Sequence, residues 1–217
     1  MEQGGRFVPD TGRVLAALGA LYPQARAELN FSNPFETLIA TILAAQCTDA
    51  RVNIVTEALF PMYPNARAMA ALTPEQLEPL IQTCGLYHSK ARNIVATCNI
   101  LVEQYGGEVP ADRKALEALP GVGQKTAGVV RMAAFGADEI PVDTHVFRVA
   151  NRIGLADAKT AEATEAALRA VLPEGRRAHA HHLLIWHGRR MCHARKPACQ
   201  DCPLRDGLCR YTRPAEE

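Results

Sequence analysis

The sequence predicts an all-α protein. Helix-capping and helix-stopping residues recur at short intervals, apolar residues between them fall three and four positions apart, and no segment alternates apolar and polar residues as a half-buried strand does. Asp10 or Thr11 caps a Leu- and Ala-rich helix that stops at Tyr22 and Pro23. Ser32 caps a second helix, with Pro34 in its first turn and Phe35, Leu38, Ile39, Ile42 and Leu43 along it. Thr73 and Gln76 form a capping box for a helix that ends near Cys84 and Gly85. Ser89 opens the next, which runs to Tyr105 and stops at Gly106 and Gly107. Asp112, Gln124, Thr144 and Thr160 begin further helices, while Pro120, Gly136, Gly154 and Pro173 end or interrupt them. The N-terminal dozen residues and residues 214–217 read as frayed ends.

At 217 residues, 48% hydrophobic and 22% charged, the composition is that of a globular chain sized for one large or two small domains. With 24 basic and 23 acidic residues the formal net charge is +1, which excludes a polycation or an acidic tail but not a nucleic-acid partner, because binding needs only a local basic face. Such a stretch exists. Residues 175–200 contain Arg176, Arg177, Arg189, Arg190, Arg195 and Lys196, five histidines and no acid, leaving 18 basic against 23 acidic residues elsewhere. No apolar run is long enough to span a bilayer, and the start lacks the basic and apolar blocks of a signal peptide, so a cytoplasmic protein with no membrane partner is expected. Seven cysteines, an odd number without a secretion signal, argue for metal binding, catalysis or burial over a disulfide framework.

Cys192, Cys199, Cys202 and Cys209 are spaced C-x6-C-x2-C-x6-C in a Pro- and Gly-interrupted tail with no helical pattern, so something other than a hydrophobic core must hold it. Four thiolates so placed bind either a tetrahedral zinc ion or a 4Fe-4S cluster, and spacing alone does not separate the two. His193 is a substitute ligand only if a cysteine drops out. Cys47, Cys84 and Cys98 lie in apolar stretches and read as small buried hydrophobes.

The segment from Leu116 to Ala127 reads LEALPGVGQKTA. A short helix meets Pro120, which cannot extend it, and a Gly-Val-Gly turn leads into a second helix from Gln124 to Phe135. Two glycines let a phosphate approach the backbone amides at that helix's positive end. A tight αα-turn accounts for the glycines equally well, but the two leucines three apart and the Leu-Pro-Gly-Val-Gly run form the pattern of a helix-hairpin-helix motif, which grips a DNA backbone. Lys125 sits in the first turn of the second helix, where the dipole opposes its charge and favours the neutral, nucleophilic amine. From position alone, contact with phosphate or solvent is the commoner role. Asp143 and Thr144 stand at another helix start, where an aspartate caps. His145 reads as structural.

LPGVGQKTAGVV, VDTHVFRV and the four-cysteine tail, together with ELNFSNPFETLIATILAAQCTDA from Glu28 and GLYHSKARNI from Gly85, resemble the endonuclease III family across nearly the whole chain. These are bifunctional DNA glycosylases and AP lyases of the helix-hairpin-helix superfamily. The resemblance implies two helical lobes: a six-helix barrel lobe over 27–137 that ends in the hairpin at about 113–135, and a mixed lobe of 1–26 with 138–217 carrying a 4Fe-4S loop at 192–209, with a DNA-binding cleft between them. It implies a Schiff-base lysine at Lys125 and a catalytic aspartate at Asp143, facing each other across that cleft. Gly121, Val122 and Gly123 would hold a phosphate. Gln46 and Leu86 would fill the gap left by an extruded nucleotide, Arg195 and Lys196 would meet phosphates, and Cys192, Cys199, Cys202 and Cys209 would ligate the cluster.

The implied activity is removal of oxidised pyrimidines from double-stranded DNA by a monomeric enzyme, with strand cleavage 3′ to the abasic site by β-elimination. Two positions depart from the family: six residues separate Cys202 from Cys209 where five are usual, and His88 stands where asparagine is usual. Two other functions fit fewer residues. An adenine glycosylase acting at mispairs belongs to a branch without the lysine found at Lys125, and a non-catalytic Fe-S damage-binding protein has no use for Lys125 with Asp143.

Overall fold

The structure, a computed structural model, describes residues 7–212; residues 1–6 and 213–217, and with them the end expected to fray at 214–217, lie outside it. Among the described residues there are eleven α-helices, two short 3-10 turns and no strand. None of the helices is long and apolar enough to cross a membrane.

The chain divides into two compact units, Ala27–Glu139 and a second made of residues up to Arg26 with those from Ile140 onward. In the first unit, α2 (Pro34–Ala44) buries Phe35, Leu38, Ile39, Ile42 and Leu43. Its cap is Asn33, whose side chain accepts from the Glu36 amide at 2.9 Å, and not Ser32 as the sequence suggests. Ser32 instead donates its amide and hydroxyl to the Glu36 carboxylate, closing the same turn from outside. Around α2 pack α3 (Asp49–Met62), α6 (Tyr87–Gln104) and α8 (Gln124–Phe135), while α4 (Ala66–Ala70) and α5 (Pro74–Ile81) lie on α6 and α7 (Arg113–Glu117) on α8. Leu59, Met69, Leu77, Ile81, Ile94, Leu101 and Leu116 fill the space between them. The Thr73–Gln76 capping box is formed at α5. The α6 helix starts at Tyr87, two residues before the expected Ser89, because Leu86 adopts a left-handed backbone that begins the helix with no side-chain cap.

In the second unit, α1 (Thr11–Leu21), capped by Asp10, packs on α11 (Arg177–Arg190). The α9 helix (Thr144–Ile153) lies between α11 and α10 (Ala161–Val171). Gly188 allows the close approach of α9, since a Cβ there would stand 3.0 Å from the His145 Cβ and 3.1 Å from Val149. The sequence conceals α3, α4 and α11. Pro61 stands near the end of α3, and α11 begins with no side-chain cap and turns His181 and His187 inward where apolar residues are expected.

One carboxylate ties the two hairpin helices together. Glu139, 4% exposed, accepts from Arg113 of α7 at 2.7 Å and from Arg131 of α8. Arg131→Ala removes one of the cations that hold that buried charge, so the free energy of unfolding should fall by about 3 kcal/mol. Equilibrium urea unfolding checks this; a midpoint unchanged from the parent would show that the pair carries no stability.

Candidate functional site

The hairpin is built by exclusion of alternatives. Pro120 ends the turn after α7, and its carbonyl accepts from the Thr97 hydroxyl of α6 at 2.9 Å. Gly121 follows with φ +77°, where a Cβ would press to 2.9 Å on the Asn93 side chain. Only glycine fits both demands. Val122 turns its side chain into the core and gives its amide to Leu119 at 3.1 Å. Of the three residues expected to meet phosphate, it is the one whose amide is already bonded within the turn and whose side chain is buried. Gly123 is the N-cap of α8 and no side chain caps that helix, so its positive end carries no side-chain acceptor of its own. Lys125, in the first turn, is exposed.

Asp143 caps α9, its Oδ1 accepting from the Val146 amide at 2.7 Å. Lys125 belongs to the first unit and Asp143 to the second. Near Asp143, burial holds His145 below the ordinary imidazole range, with the aspartate opposing and Arg148 and Arg189 adding to the effect. The Nη2 of Arg148 bonds the Gly188 carbonyl at 2.9 Å and contacts His145 Nδ1 at 3.2 Å, which fixes the ring.

Gln46 and Leu86 occupy two turns that touch: a Cβ on Gly85 would lie 3.6 Å from the Gln46 carbonyl oxygen. Both residues are exposed, Leu86 at 58%, and both have left-handed backbones, φ +54° and +61°. Among the described residues Lys196, φ +50°, is the only other non-glycine so strained. Sequence spacing gave no sign of this. His88, one of the two departures, bonds Glu78 at 2.8 Å and stacks on Tyr87 with ring centroids 4.0 Å apart.

Cys192, Cys199, Cys202 and Cys209 are free thiols lining one cavity together with Arg152, His187 and Tyr211. Burial raises the Cys202 thiol, and the thiols of Cys209, Cys192 and Cys199 raise it further, so the four share one space. Such a donor set in a water-poor cavity fits an iron-sulfur cluster, whose cations relieve the mutual repulsion of the thiolates. Arg152, missed in the sequence, spans the loop: it donates to the carbonyls of His193 at 2.7 Å and Ala194 at 2.9 Å, reaches Cys192 Sγ at 3.5 Å and lies 4.8 Å from the Tyr211 ring centroid. Arg195 and Lys196 stand exposed just beyond.

The basic stretch is not one face. His181 and His187 are buried, Arg177 bonds the Arg169 carbonyl at 3.1 Å and Arg190 lies 3.7 Å over the Trp186 ring.

A glycine hairpin with an uncapped helix and a four-cysteine cavity, set in an all-helical fold, define a base excision DNA repair protein. The family model for HhH-GPD superfamily base excision DNA repair proteins matches residues 39–174, and that for the iron-sulfur binding domain of endonuclease III matches residues 192–209. The endonuclease III of Escherichia coli (strain K12) is 52% identical over 198 residues, 91% of this chain and 93% of that protein. That of Bacillus subtilis (strain 168) is 46% identical over 197 residues, 90% of each. A structure of a trapped endonuclease III-DNA covalent intermediate superposes with TM-score 0.89 at 44% identity, covering 95% of this chain and 98% of that one. A non-covalent endonuclease III-DNA complex gives TM-score 0.90 at 44% identity over 95% and 97%. The chain belongs to the endonuclease III family. It is a DNA glycosylase with abasic-site lyase activity that carries a 4Fe-4S cluster.

The two hairpin glycines should separate in stability. Gly121→Ala meets both strain and Asn93 and should cost about 1 to 3 kcal/mol, whereas Gly123→Ala, with nothing within 4 Å of its Cβ, loses only glycine's advantage at an N-cap and should cost less than about 1 kcal/mol. Thermal unfolding of the two variants checks this; equal losses would place the constraint elsewhere.

Proposed function

We propose that the chain removes oxidised pyrimidines from double-stranded DNA and cleaves the strand on the 3′ side of the resulting abasic site, acting as a monomer with Lys125 as nucleophile. The observation that carries this is an exposed lysine in the first turn of the one hairpin helix whose amino end has no side-chain cap. A phosphate held by the leading amides of α8, which Gly123 opens to approach, sets the sugar of the neighbouring nucleotide near Lys125 Nζ.

A base within the duplex cannot be reached, so the damaged nucleotide is turned out at a cost on the order of a few kcal/mol, least for a lesion that stacks poorly. Gln46 and Leu86 take the vacated place. Their turns are adjacent, and backbones already in the left-handed region lose no freedom on entering the stack. Lys125 attacks C1′ as the free amine, the C1′–N bond breaks and the base leaves with a proton. The nitrogen lone pair then forms the C1′=N bond as the C1′–O4′ bond breaks; O4′ takes up a proton and the sugar ring opens to an iminium that keeps one N–H. That iminium draws electrons from C2′, a C2′ proton is lost, and the 3′ C–O bond breaks to release phosphate.

Asp143 has one carboxylate oxygen committed to the Val146 amide. That bond fixes its orientation and leaves the second oxygen to take a proton or to face positive charge developing at the sugar. Cys192, Cys199, Cys202 and Cys209 hold the cluster, and Arg152 ties the intervening loop so that Arg195 and Lys196 meet phosphates. When bound, the cluster supplies a rigid cross-link of this loop. No bond-breaking step requires it.

Borohydride should trap a covalent protein-DNA adduct on a thymine-glycol duplex, and Lys125→Ala should abolish it; an adduct that persists in the variant overturns the assignment. Asp143→Asn should lower base release by about two orders of magnitude or more while duplex affinity holds. Normal turnover by that variant would reduce Asp143 to a helix cap.

A further inference from the structure

Three cysteines stand outside the cluster: Cys84 and Cys98 are buried, as their apolar surroundings suggest, while Cys47 is half-buried against the same core. Cys47 follows Gln46 in the turn after α2, its amide on the Ala44 carbonyl at 3.1 Å. Cys84 stands two residues before Leu86, in the turn after α5, its amide on the Ile81 carbonyl at 2.9 Å. These are the two turns that meet through Gly85 and the Gln46 carbonyl. Both side chains border the same core, and the Cys47 thiol is near enough to raise that of Cys84 beyond the effect of burial. Cys98 lies buried inside α6, away from either turn.

We propose that Cys47 and Cys84 are an oxidation site, a thiol pair that hydroperoxides close into a disulfide joining the Gln46 turn to the Leu86 turn. The two cysteines have different access. Cys84 is fully buried, whereas Cys47 is half-buried, so Cys47 meets the oxidant and Cys84 resolves it. The Cys47 thiolate attacks the peroxide, the O–O bond breaks, Cys47 becomes a sulfenic acid and one water leaves. Cys84, giving up its proton, then attacks the Cys47 sulfur; the S–O bond breaks and the hydroxide departs with that proton as a second water. Two thiols lose two electrons and one hydroperoxide gains them.

Lys90 assists the second half. It is buried, its Nζ donates to the Leu43 carbonyl at 2.8 Å, and its charge reaches both sulfurs, favouring the Cys84 thiolate that burial otherwise pushes up to about 11.

Closure has a mechanical consequence. A disulfide holds its sulfurs about 2.05 Å apart, nearer than any thiol-thiol hydrogen bond. Forming it draws the two turns together and displaces Gln46, next to Cys47, and Leu86, two residues from Cys84. This consequence rests on the duplex-filling roles proposed for Gln46 and Leu86; the bond itself does not.

The test uses holoenzyme with its cluster absorbance near ~400 nm intact. The protein is treated with hydrogen peroxide, alkylated, digested without reduction and read by mass spectrometry, alongside binding to an abasic-site duplex. A peptide linking Cys47 to Cys84, reversed by dithiothreitol and accompanied by a several-fold loss of duplex affinity, is expected. In Cys84→Ala the link should vanish and Cys47 should be trapped by dimedone as sulfenic acid; Cys47→Ser should resist peroxide altogether. Oxidation of Cys47 to sulfinic acid with Cys84 still open to alkylation, or a link to a cluster cysteine, overturns the pair. A linked protein that binds duplex as well as the reduced one overturns the coupling to the turns. Failure of the Lys125 assignment would leave the linked peptide in place, so the two results are distinguishable.

Discussion

The carboxylate of Glu139, taken out of water and gripped by Arg113 and Arg131, is the constraint on which the hairpin depends. A buried carboxylate tolerates no loss of its partners, so α7 and α8 cannot drift apart without leaving a charge stranded in a poorly polarisable interior. The turn between them is pinned from the other side by Thr97 on the Pro120 carbonyl and by Asn93 against Gly121. Both pins come from α6, so the uncapped amino end of α8 and Lys125 in its first turn are fixed by two helices and one ion triad. A helix terminus that binds an anion must be left without a side chain of its own. The surrounding bonds supply the order that a cap would otherwise provide.

The sequence showed this motif well because its chemistry is local. Pro120, Gly121 and Gly123 are each dictated by backbone sterics within a few residues, and the same holds for the Thr73 capping box and the Asp143 cap. Four cysteines at fixed spacing are legible for a similar reason, since a donor set declares itself by composition. Arg152 is not legible. Its bonds cross some forty residues to the His193 and Ala194 carbonyls, and nothing in its own neighbourhood distinguishes it from a solvated arginine. Glu139 is hidden in the same way. The α11 helix was missed for a different reason: its inward face is partly histidine, with His187 paired to Tyr22 and His181 to the Pro141 carbonyl, so the apolar period is broken where the structure is most buried.

The near-neutral charge conceals the same division between local pattern and long-range use. The basic stretch before the cluster looks like one electrostatic surface, yet Arg177 and Arg190 are spent within the unit and two of its histidines are interior. Among the cations of the stretch that stay exposed are Arg195 and Lys196, in the loop that Arg152 secures. A few fixed cations beside an otherwise weakly acidic chain give an attraction that is local and salt-sensitive rather than a general affinity for polyanions.

Backbone strain points to the same loops by an independent route. Gln46, Leu86 and Lys196 are the non-glycine residues with left-handed backbones among those described. A left-handed backbone costs roughly 1–2 kcal/mol for a residue with a Cβ, and leucine has no short polar side chain to recover part of that by bonding locally. Glycine at any of these positions would relieve the strain and lose the side chain. The strain persists because neighbouring bonds leave no relaxed alternative: the Leu86 carbonyl accepts from the Lys90 amide at 3.0 Å while the Lys90 side chain is anchored on Leu43 at 2.8 Å. One buried lysine thereby holds the Leu86 turn to the end of α2, next to Gln46. Strain of this kind clusters where a side chain must be presented at a set angle. Here it marks a pair of adjacent turns whose exposed side chains are held at set angles, as the proposed filling of a vacated stack requires.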